Sequence, residues 1–244
     1  VLEGDGGNAA DTADTLDVAA VVAPASAGSI TLDATTGGMT GAGALTFSAA
    51  AGVTINDSLA TAGTTTVNAD TDNTGSGDLT VAAVAAVSTG NNLLAITAND
   101  VSLAGTLTSG AAAATITDSD GTGIGLGDTA IANGLNMSGA ELQNITATGL
   151  TLTTAGNITV DNIAAANSNN ISGTTTLDTG GGITFANMAS TFNALTAQAD
   201  DGIEVQVNGI TDTGDLVLEG DADNAADTAD NIDFAAGVAL TSAP

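Results

Sequence analysis

Basic side chains are missing from this chain. Its 244 residues include no Lys, Arg or His, against 28 Asp and Glu. Charged residues make up about a quarter of an average protein and are of both signs, so the absence is not a sampling effect. Two explanations stay open. Either repeat expansion copied a unit without basic residues, or selection removed sites for trypsin-like proteases or kept the surface polyanionic, which implies exposure outside the cell.

This absence excludes several functions. The chain offers no cation to phosphate, which argues against nucleic-acid binding, and no basic cluster to hold an anionic membrane. No apolar run approaches the roughly 18 residues of a membrane helix, so we expect no membrane insertion.

Catalysis is restricted in the same way. Without His, Lys, Arg, Cys or Tyr, most catalytic arrangements lack their base, amine or thiolate. A carboxylate-pair glycosidase remains, but the basic side chains that would hold acidic sugars are missing. We therefore predict that the chain is not an enzyme and that it requires no cofactor.

Cys and Trp are also absent, and Phe occurs four times. Disulfides and thiolate metal sites therefore cannot support the fold. Hydrophobic residues nevertheless make up 43% of the chain and its mean hydropathy is +0.30, whereas disordered acidic chains have low hydrophobicity. The sequence thus predicts a folded chain with a narrow core of small and β-branched side chains.

Short strands separated by glycine turns recur along the chain. Residues 44–56 read ALTFSAAAGVTIN, residues 174–185 read TTTLDTGGGITF, and residues 194–206 read ALTAQADDGIEVQ. Each phrase is an alternating strand, a turn containing Gly and a second alternating strand, built from residues that favour strands. Further strands are predicted at residues 29–33, 64–68, 78–81, 94–98, 101–103, 115–118, 150–161 and 215–219. The predicted fold class is all-β.

The strand units recur at intervals of about 20–22 residues, which is typical of the coils of a β-solenoid. A β-sandwich also has many short strands, but the near-constant interval favours a parallel β-helix. We predict about ten coils in 216 residues, with protruding loops where the interval is disturbed, at residues 70–77 and 111–133.

A much longer repeat is superimposed on this one. Residues 1–28 and 217–244 align without a gap and share 19 identical positions, with VLEGD and NAADTAD both returning in register. The overlap is either a single local duplication or the sign of a long array. We predict the array, in which residues 1–216 form one period and residues 217–244 begin the next.

One long segment carries a family resemblance. Residues 122–163 contain GLNMSGAELQNI followed by GLTLTTAGNITV. This order of phrases resembles the repeat regions of filamentous-haemagglutinin-like bacterial exoproteins. The resemblance implies a right-handed parallel β-helix, export to the bacterial cell surface, and a role as adhesin or surface filament.

Carboxylate clusters are the candidate ligand sites. Ca²⁺ takes six to eight oxygen ligands and tolerates flexible loops, and stacked coils would bring acidic loops together. Neither an EF-hand loop nor a β-roll repeat occurs, so a solvated acidic face stays open as the alternative. Smaller clusters are the pairs Asp70/Asp72 and Asp118/Asp120. The candidate Ca²⁺ ligands are Asp5, Asp11, Asp14, Asp221, Asp223, Asp227 and Asp230.

TGIGLGD at residues 122–128 contains a GxGxG pattern. A phosphate-binding loop would need a following helix and a Lys, so we interpret this segment as a glycine-rich strand and corner.

Together these observations predict a structural repeat of an extracellular bacterial fibre, sheath or stalk. Its expected partners are further copies of itself, in tandem or stacked end to end. The alternative is an adhesin module, with acidic loops ordered by Ca²⁺, that binds a cell-surface or glycan receptor.

Overall fold

The computed structural model describes residues 2–3, 16–18, 22–34, 37–225 and 230–242. Strands account for 49% of the described residues and helices for 4%, which confirms the all-β class. Two short helices occur in these ranges, α1 (Gly139–Gln143) and α2 (Ala165–Ser168).

The strands in chain order are β1 (Leu2–Glu3), β2 (Leu16–Val18), β3 (Ala25–Ser26), β4 (Ile30–Asp33), β5 (Met39–Gly41), β6 (Leu45–Ala49), β7 (Val53–Ile55), β8 (Leu59–Thr61), β9 (Thr65–Asn68), β10 (Leu79–Val81), β11 (Ala86–Ser88), β12 (Leu94–Ala98), β13 (Val101–Leu103), β14 (Thr106–Thr108), β15 (Ala113–Asp118), β16 (Gly123–Gly127), β17 (Leu135–Met137), β18 (Ile145–Thr146), β19 (Gly149–Thr154), β20 (Asn157–Asp161), β21 (Thr174–Thr179), β22 (Ile183–Phe185), β23 (Ser190–Phe192), β24 (Ala194–Ala199), β25 (Ile203–Val205), β26 (Gly209–Thr211), β27 (Leu216–Glu219), β28 (Ile232–Phe234) and β29 (Leu240–Thr241).

All pairings between these strands are parallel, and over most of the chain a strand pairs with the one three positions later. The chain therefore visits two other sheets before it returns, as in a solenoid. The five sheets are sheet 1 (β1, β4, β7, β10, β13), sheet 2 (β2, β5, β8, β11, β14, β18), sheet 3 (β3, β6, β9, β12, β15, β19, β21, β24, β27), sheet 4 (β17, β16, β20, β22, β25, β28) and sheet 5 (β23, β26, β29).

The core is a set of columns inside these sheets. Along strands such as β6 and β12, alternate residues are buried, which follows from the two-residue period of a strand. In-register pairing then places each buried side chain on the equivalent one in the next coil. One column in sheet 3 runs through Phe47, Val67, Ile96, Ile116, Leu152, Leu177 and Ala197.

The sequence predicted two strands for each coil, and the structure has a third. The strands of sheets 2 and 5 were missed. They are two or three residues long and, as in MTG of β5 and LAT of β8, carry few of the β-branched apolar residues that mark equally short strands such as β7 and β13. In sheets 1, 3 and 4 the sequence also missed β1, β3, β17 and β28, and the remaining strands lie close to their predicted positions.

The predicted loop at residues 111–133 is wrong for about half of its length, because β15 and β16 occupy residues 113–118 and 123–127. Residues 128–134 instead lie across the outer face of β16. The chain then enters β17, which pairs with β16 and contacts β13. The order in space is thus β13, β17, β16, β20, so β16 and β17 are inverted relative to the chain.

Glycines make this inversion possible. Every residue of β16 is buried, and the glycines of the GxGxG pattern face the returning segment. A Cβ on Gly125 would lie 2.8 Å from Asn136 Oδ1 and 3.0 Å from the Thr129 carbonyl oxygen. Asn136 fixes the segment, since its Oδ1 accepts from the Ile131 N–H at 2.6 Å and its Nδ2 donates to the Gly134 carbonyl at 2.7 Å.

Side chains bridge the junction between sheet 1 and sheet 4. The Asn136 N–H of β17 donates to Asp100 Oδ1 at 2.8 Å. Both backbone groups of Leu103 in β13 are also met by side chains, its N–H by Glu141 Oε1 at 3.1 Å and its carbonyl by Asn144 Nδ2 at 3.0 Å. Buried backbone groups need such partners where a strand ladder is interrupted.

Helix α1 turns the corner after this junction. Ser138 and Glu141 form a reciprocal capping box, in which each side chain accepts from the other's backbone N–H, and Leu142 is fully buried. The GLNMSGAELQNI phrase is therefore a strand, a capped helical turn and the start of the next strand.

Replacing Gly125 tests the inverted strand. We expect Gly125→Ala to lower the free energy of unfolding by about 1–3 kcal/mol, because the added methyl group overpacks a closed contact. Gly38→Ala is the matched control, since a Cβ there has its nearest neighbour at 3.7 Å. Urea unfolding followed by circular dichroism measures both, and equal stability of the two variants would contradict the packing described.

Candidate functional site

Carboxylates collect where the chain leaves sheet 3 and enters sheet 1 or sheet 4. We call this group the acidic corner; it consists of Asp70, Asp78, Asp100, Asp118 and Asp120. Asp70 and Asp118 are 0% and 4% exposed. No Lys, Arg or His exists in the chain to pair with them, so neutral donors must meet these charges. Burial of a charge without a partner is costly.

Asp70 has a full set of neutral donors. Its Oδ1 accepts from the Thr74 N–H at 3.3 Å, and its Oδ2 accepts from the Gly75 N–H at 3.3 Å and from Ser119 Oγ at 2.7 Å. The first two contacts fold the exposed loop of residues 71–76 back onto the corner. Asp70 therefore has a structural role in holding the predicted loop.

Asp118 is satisfied on one side only. Its Oδ2 accepts from the Gly123 N–H at 2.9 Å and from Thr154 Oγ1 at 2.7 Å. Its Oδ1 is buried and has no hydrogen-bond partner. Burial raises the pKa of the Asp118 carboxyl above its usual range, against the effect of the Thr154 and Gly123 donors, and the adjacent Asp120 carboxylate raises it further.

Asp120 lies beside Asp118, within hydrogen-bond reach of its carboxylate. Burial acts to raise the pKa of Asp120, but hydrogen bonds from Thr122 and the contact with Asp118 outweigh it and lower the pKa. The two carboxylates therefore titrate as a pair whose pKa values are driven apart. Asp118 is the member that holds a proton more readily.

An amide oxygen completes this part of the corner. Asn99 Oδ1 is buried without a hydrogen-bond partner, while its Nδ2 donates to Asp78 Oδ1 at 2.8 Å. A Cβ on Gly75 would lie 3.0 Å from Asp120 Oδ2 and 3.6 Å from Asn99 Oδ1. The loop backbone at Gly75 thus lies against both oxygens.

Asp100 occupies the other edge of the corner. Burial raises the pKa of its carboxyl, opposed by hydrogen bonds from the backbone of Asn136 and Val101, and Asp78 and Glu141 add like charge nearby. Its role as acceptor at the sheet junction accounts for its position.

The Ca²⁺ ligands predicted from the repeat are mostly elsewhere. Asp5, Asp11, Asp14 and Asp227 lie outside the described residues. Asp221 and Asp223 approach Asp200 after β27, where the pKa of Asp200 is raised by burial and then by nearby carboxylates, Asp223 first. Within the described ranges, no three acidic side chains converge as a metal site would require. Binding of Ca²⁺ by this set stays a prediction.

A shallow polar groove crosses the outer face of sheet 4. Asn157, Thr184, Glu204 and Asp233 line it, and Glu204 and Asp233 are in register on neighbouring strands β25 and β28. Both carboxylates are exposed. The groove offers hydrogen-bond acceptors to a ligand rich in hydroxyl groups.

Comparison of the chain with protein-family models, with curated proteins and with solved structures finds no match. In the part of the chain that the structure describes, neither helix has the length or apolarity to cross a bilayer.

Two features of the corner and its surroundings were missed in the sequence. The Ser138-x-x-Glu141 spacing is a capping-box signature and would have placed α1. Asn99 carries no sequence signal, because its position beside Asp120 depends on which strands stack on one another.

Removing the Asp70 carboxylate tests its hold on the loop. We expect Asp70→Ala to lower the free energy of unfolding by about 2–4 kcal/mol, because three donors lose the fully buried acceptor that holds the loop on the corner. Hydrogen exchange at the Thr74 and Gly75 amides should accelerate. Asp72 is exposed in the same loop. Asp72→Ala should change the free energy of unfolding by no more than about 0.5 kcal/mol and should leave the exchange of these two amides unchanged. Unchanged exchange in Asp70→Ala would contradict this role.

The raised pKa of Asp118 predicts a pH dependence with a definite sign. Because the folded state binds the Asp118 proton more tightly than the unfolded state, this group makes the free energy of unfolding fall as pH rises from about 4 through the raised folded pKa. The loss of stability between pH 4 and 7, measured by urea unfolding in chelator, should therefore be smaller in Asp118→Asn. Identical pH profiles of parent and variant would refute the assignment.

Proposed function

We propose that this chain is a non-catalytic structural repeat of an extracellular bacterial surface fibre, sheath or stalk. In this proposal residues 1–216 are one period of a right-handed parallel β-helix with about ten coils, and residues 217–244 begin the next. The partners are further copies of the same unit, in tandem or stacked end to end, and no cofactor is required.

The carrying observation is that both copies of the long repeat build strands of one continuous stack. The first copy supplies β1, β2 and β3, and the second supplies β27, β28 and β29. Each of these strands pairs in parallel with a strand of the intervening segment. A sequence that joins a stack at both ends of its own period extends the stack whenever it is repeated.

The two copies occupy different sides of the stack. Leu2 lies in sheet 1, whereas its equivalent Leu218 lies in sheet 3. Leu16 lies in sheet 2, and its equivalent Ile232 lies in sheet 4, which continues the side of sheet 1 through the contact of β13 with β17. A period therefore ends one side short of a whole number of coils.

The number of stacked strands agrees with the proposed coil count. Sheet 3 alone contains nine in-register strands between Ala25 and Glu219. At about 4.8 Å for each strand, one period advances the axis by roughly 40–50 Å.

A binding role is the second candidate. The groove on sheet 4 and the loop held by Asp70 give an adhesin module two surfaces that differ from plain coil. Glycan binding that is lost in Glu204→Gln, with the axial structure unchanged, would favour this function over the fibre.

Imaging of tandem periods by cryo-electron microscopy tests the fibre. We expect rods with a rung spacing near 4.8 Å and a period of roughly 40–50 Å. Because each period ends one side short, successive periods should also be rotated about the axis by roughly one third of a turn. Discrete unconnected particles, or an axial period unrelated to 216 residues, would contradict the proposal.

A further inference from the structure

The Asp118–Asp120 pair is an incomplete arrangement of oxygens. Asp118 is 4% exposed, its two hydrogen-bond donors, Gly123 N–H and Thr154 Oγ1, both meet Oδ2, and its Oδ1 faces no donor. Asp120 is close enough to share a hydrogen bond with it. Two carboxylates in such contact repel unless a proton or a cation lies between them.

No side chain of this protein can supply that cation. The chain has no Lys, Arg or His, so a salt bridge is impossible at this position under any rearrangement of side chains. The neighbouring oxygen, Asn99 Oδ1, is likewise buried without a donor. Asn99 Oδ1 and Asp120 Oδ2 both lie against the loop backbone at Gly75.

We propose that the Asp118 and Asp120 carboxylates, together with Asn99 Oδ1, bind a single calcium ion. Two carboxylates balance the charge of a divalent cation. Ca²⁺ accepts oxygen ligands in irregular arrangements and tolerates mixed carboxylate, amide and water ligands, whereas Mg²⁺ demands a near-ideal octahedron and gives up its waters reluctantly. The site is distinct from the repeat-derived carboxylates, and it does not depend on the chain forming a fibre.

The site also connects three consecutive parts of the stack. Asn99 follows β12, Asp118 ends β15, and Gly75 belongs to the loop that precedes β10. Ser119, between the two ligands, donates to Asp70. Bound Ca²⁺ would therefore hold the loop of residues 71–76 and two coils together.

Calcium titration of the full chain tests this inference. Chelator-treated protein is titrated with CaCl₂ by calorimetry in 150 mM salt, where diffuse attraction to the other carboxylates is screened. We expect a saturable one-to-one component that is absent from Asp118→Asn and Asp120→Asn and retained in Asp72→Asn, which removes the same charge from the adjoining loop. Equal binding by all four proteins, or no saturable component in the parent, overturns the proposal.

Thermal unfolding gives a second, opposite signature. It is followed by circular dichroism, since the chain has no Trp or Tyr. At a hundredfold excess over Kd, Ca²⁺ should raise the parent Tm by about 5–10 °C. Without Ca²⁺, Asp118→Asn should melt above the parent, because its amide can donate to Asp120, and Ca²⁺ should not shift it. A parent that ignores Ca²⁺ but is stabilised at pH 4 shows a shared proton and refutes the site.

Discussion

In-register parallel stacking governs this structure. Each strand lies directly on its equivalent in the next coil. A side chain in a strand therefore contacts the side chain at the equivalent position of the neighbouring coil. For apolar residues the result is a continuous column such as that through Phe47 and Ile96. For carboxylates the same geometry brings like charges together. In a chain with 28 acidic and no basic residues, the buried carboxylates Asp70 and Asp118 lie at a corner, where backbone N–H groups and hydroxyls meet them.

The acidic corner shows how far neutral groups can go. Asp70 is fully buried yet accepts from two backbone N–H groups and a hydroxyl, which together delocalise its charge without any cation. Asp100 is also met by a neutral donor, because its Oδ1 accepts from the Asn136 N–H at the sheet junction. Asp118 is different because one oxygen is met and the other is not. The contrast between these carboxylates lies in loop geometry rather than in composition.

Much of the fold could be predicted from the sequence, because the signals that mark it are local. Alternation over four to six residues and a coil length near 20 residues are local properties, so strands such as β12 were predicted at their observed bounds. Three-residue strands were predicted only where Val, Ile or Leu marked them, as in β13, and the strands of sheets 2 and 5 were missed. The inversion of β16 and β17 and the approach of Asn99 to Asp120 are set by which coil stacks where, and GxGxG indicated only a glycine-rich strand.

The inverted pair has a mechanical consequence. In an ordinary solenoid, a pulling force peels one coil after another, and each strand leaves a single neighbour behind. Here β17 lies between β13 and β16. Residues 128–134, which follow β16, lie across the outer face of β16. Unfolding from either end must therefore separate both edges of one strand at the same time. It must also displace residues 128–134. We therefore expect the stack to resist mechanical unfolding most strongly at the inverted strands β16 and β17.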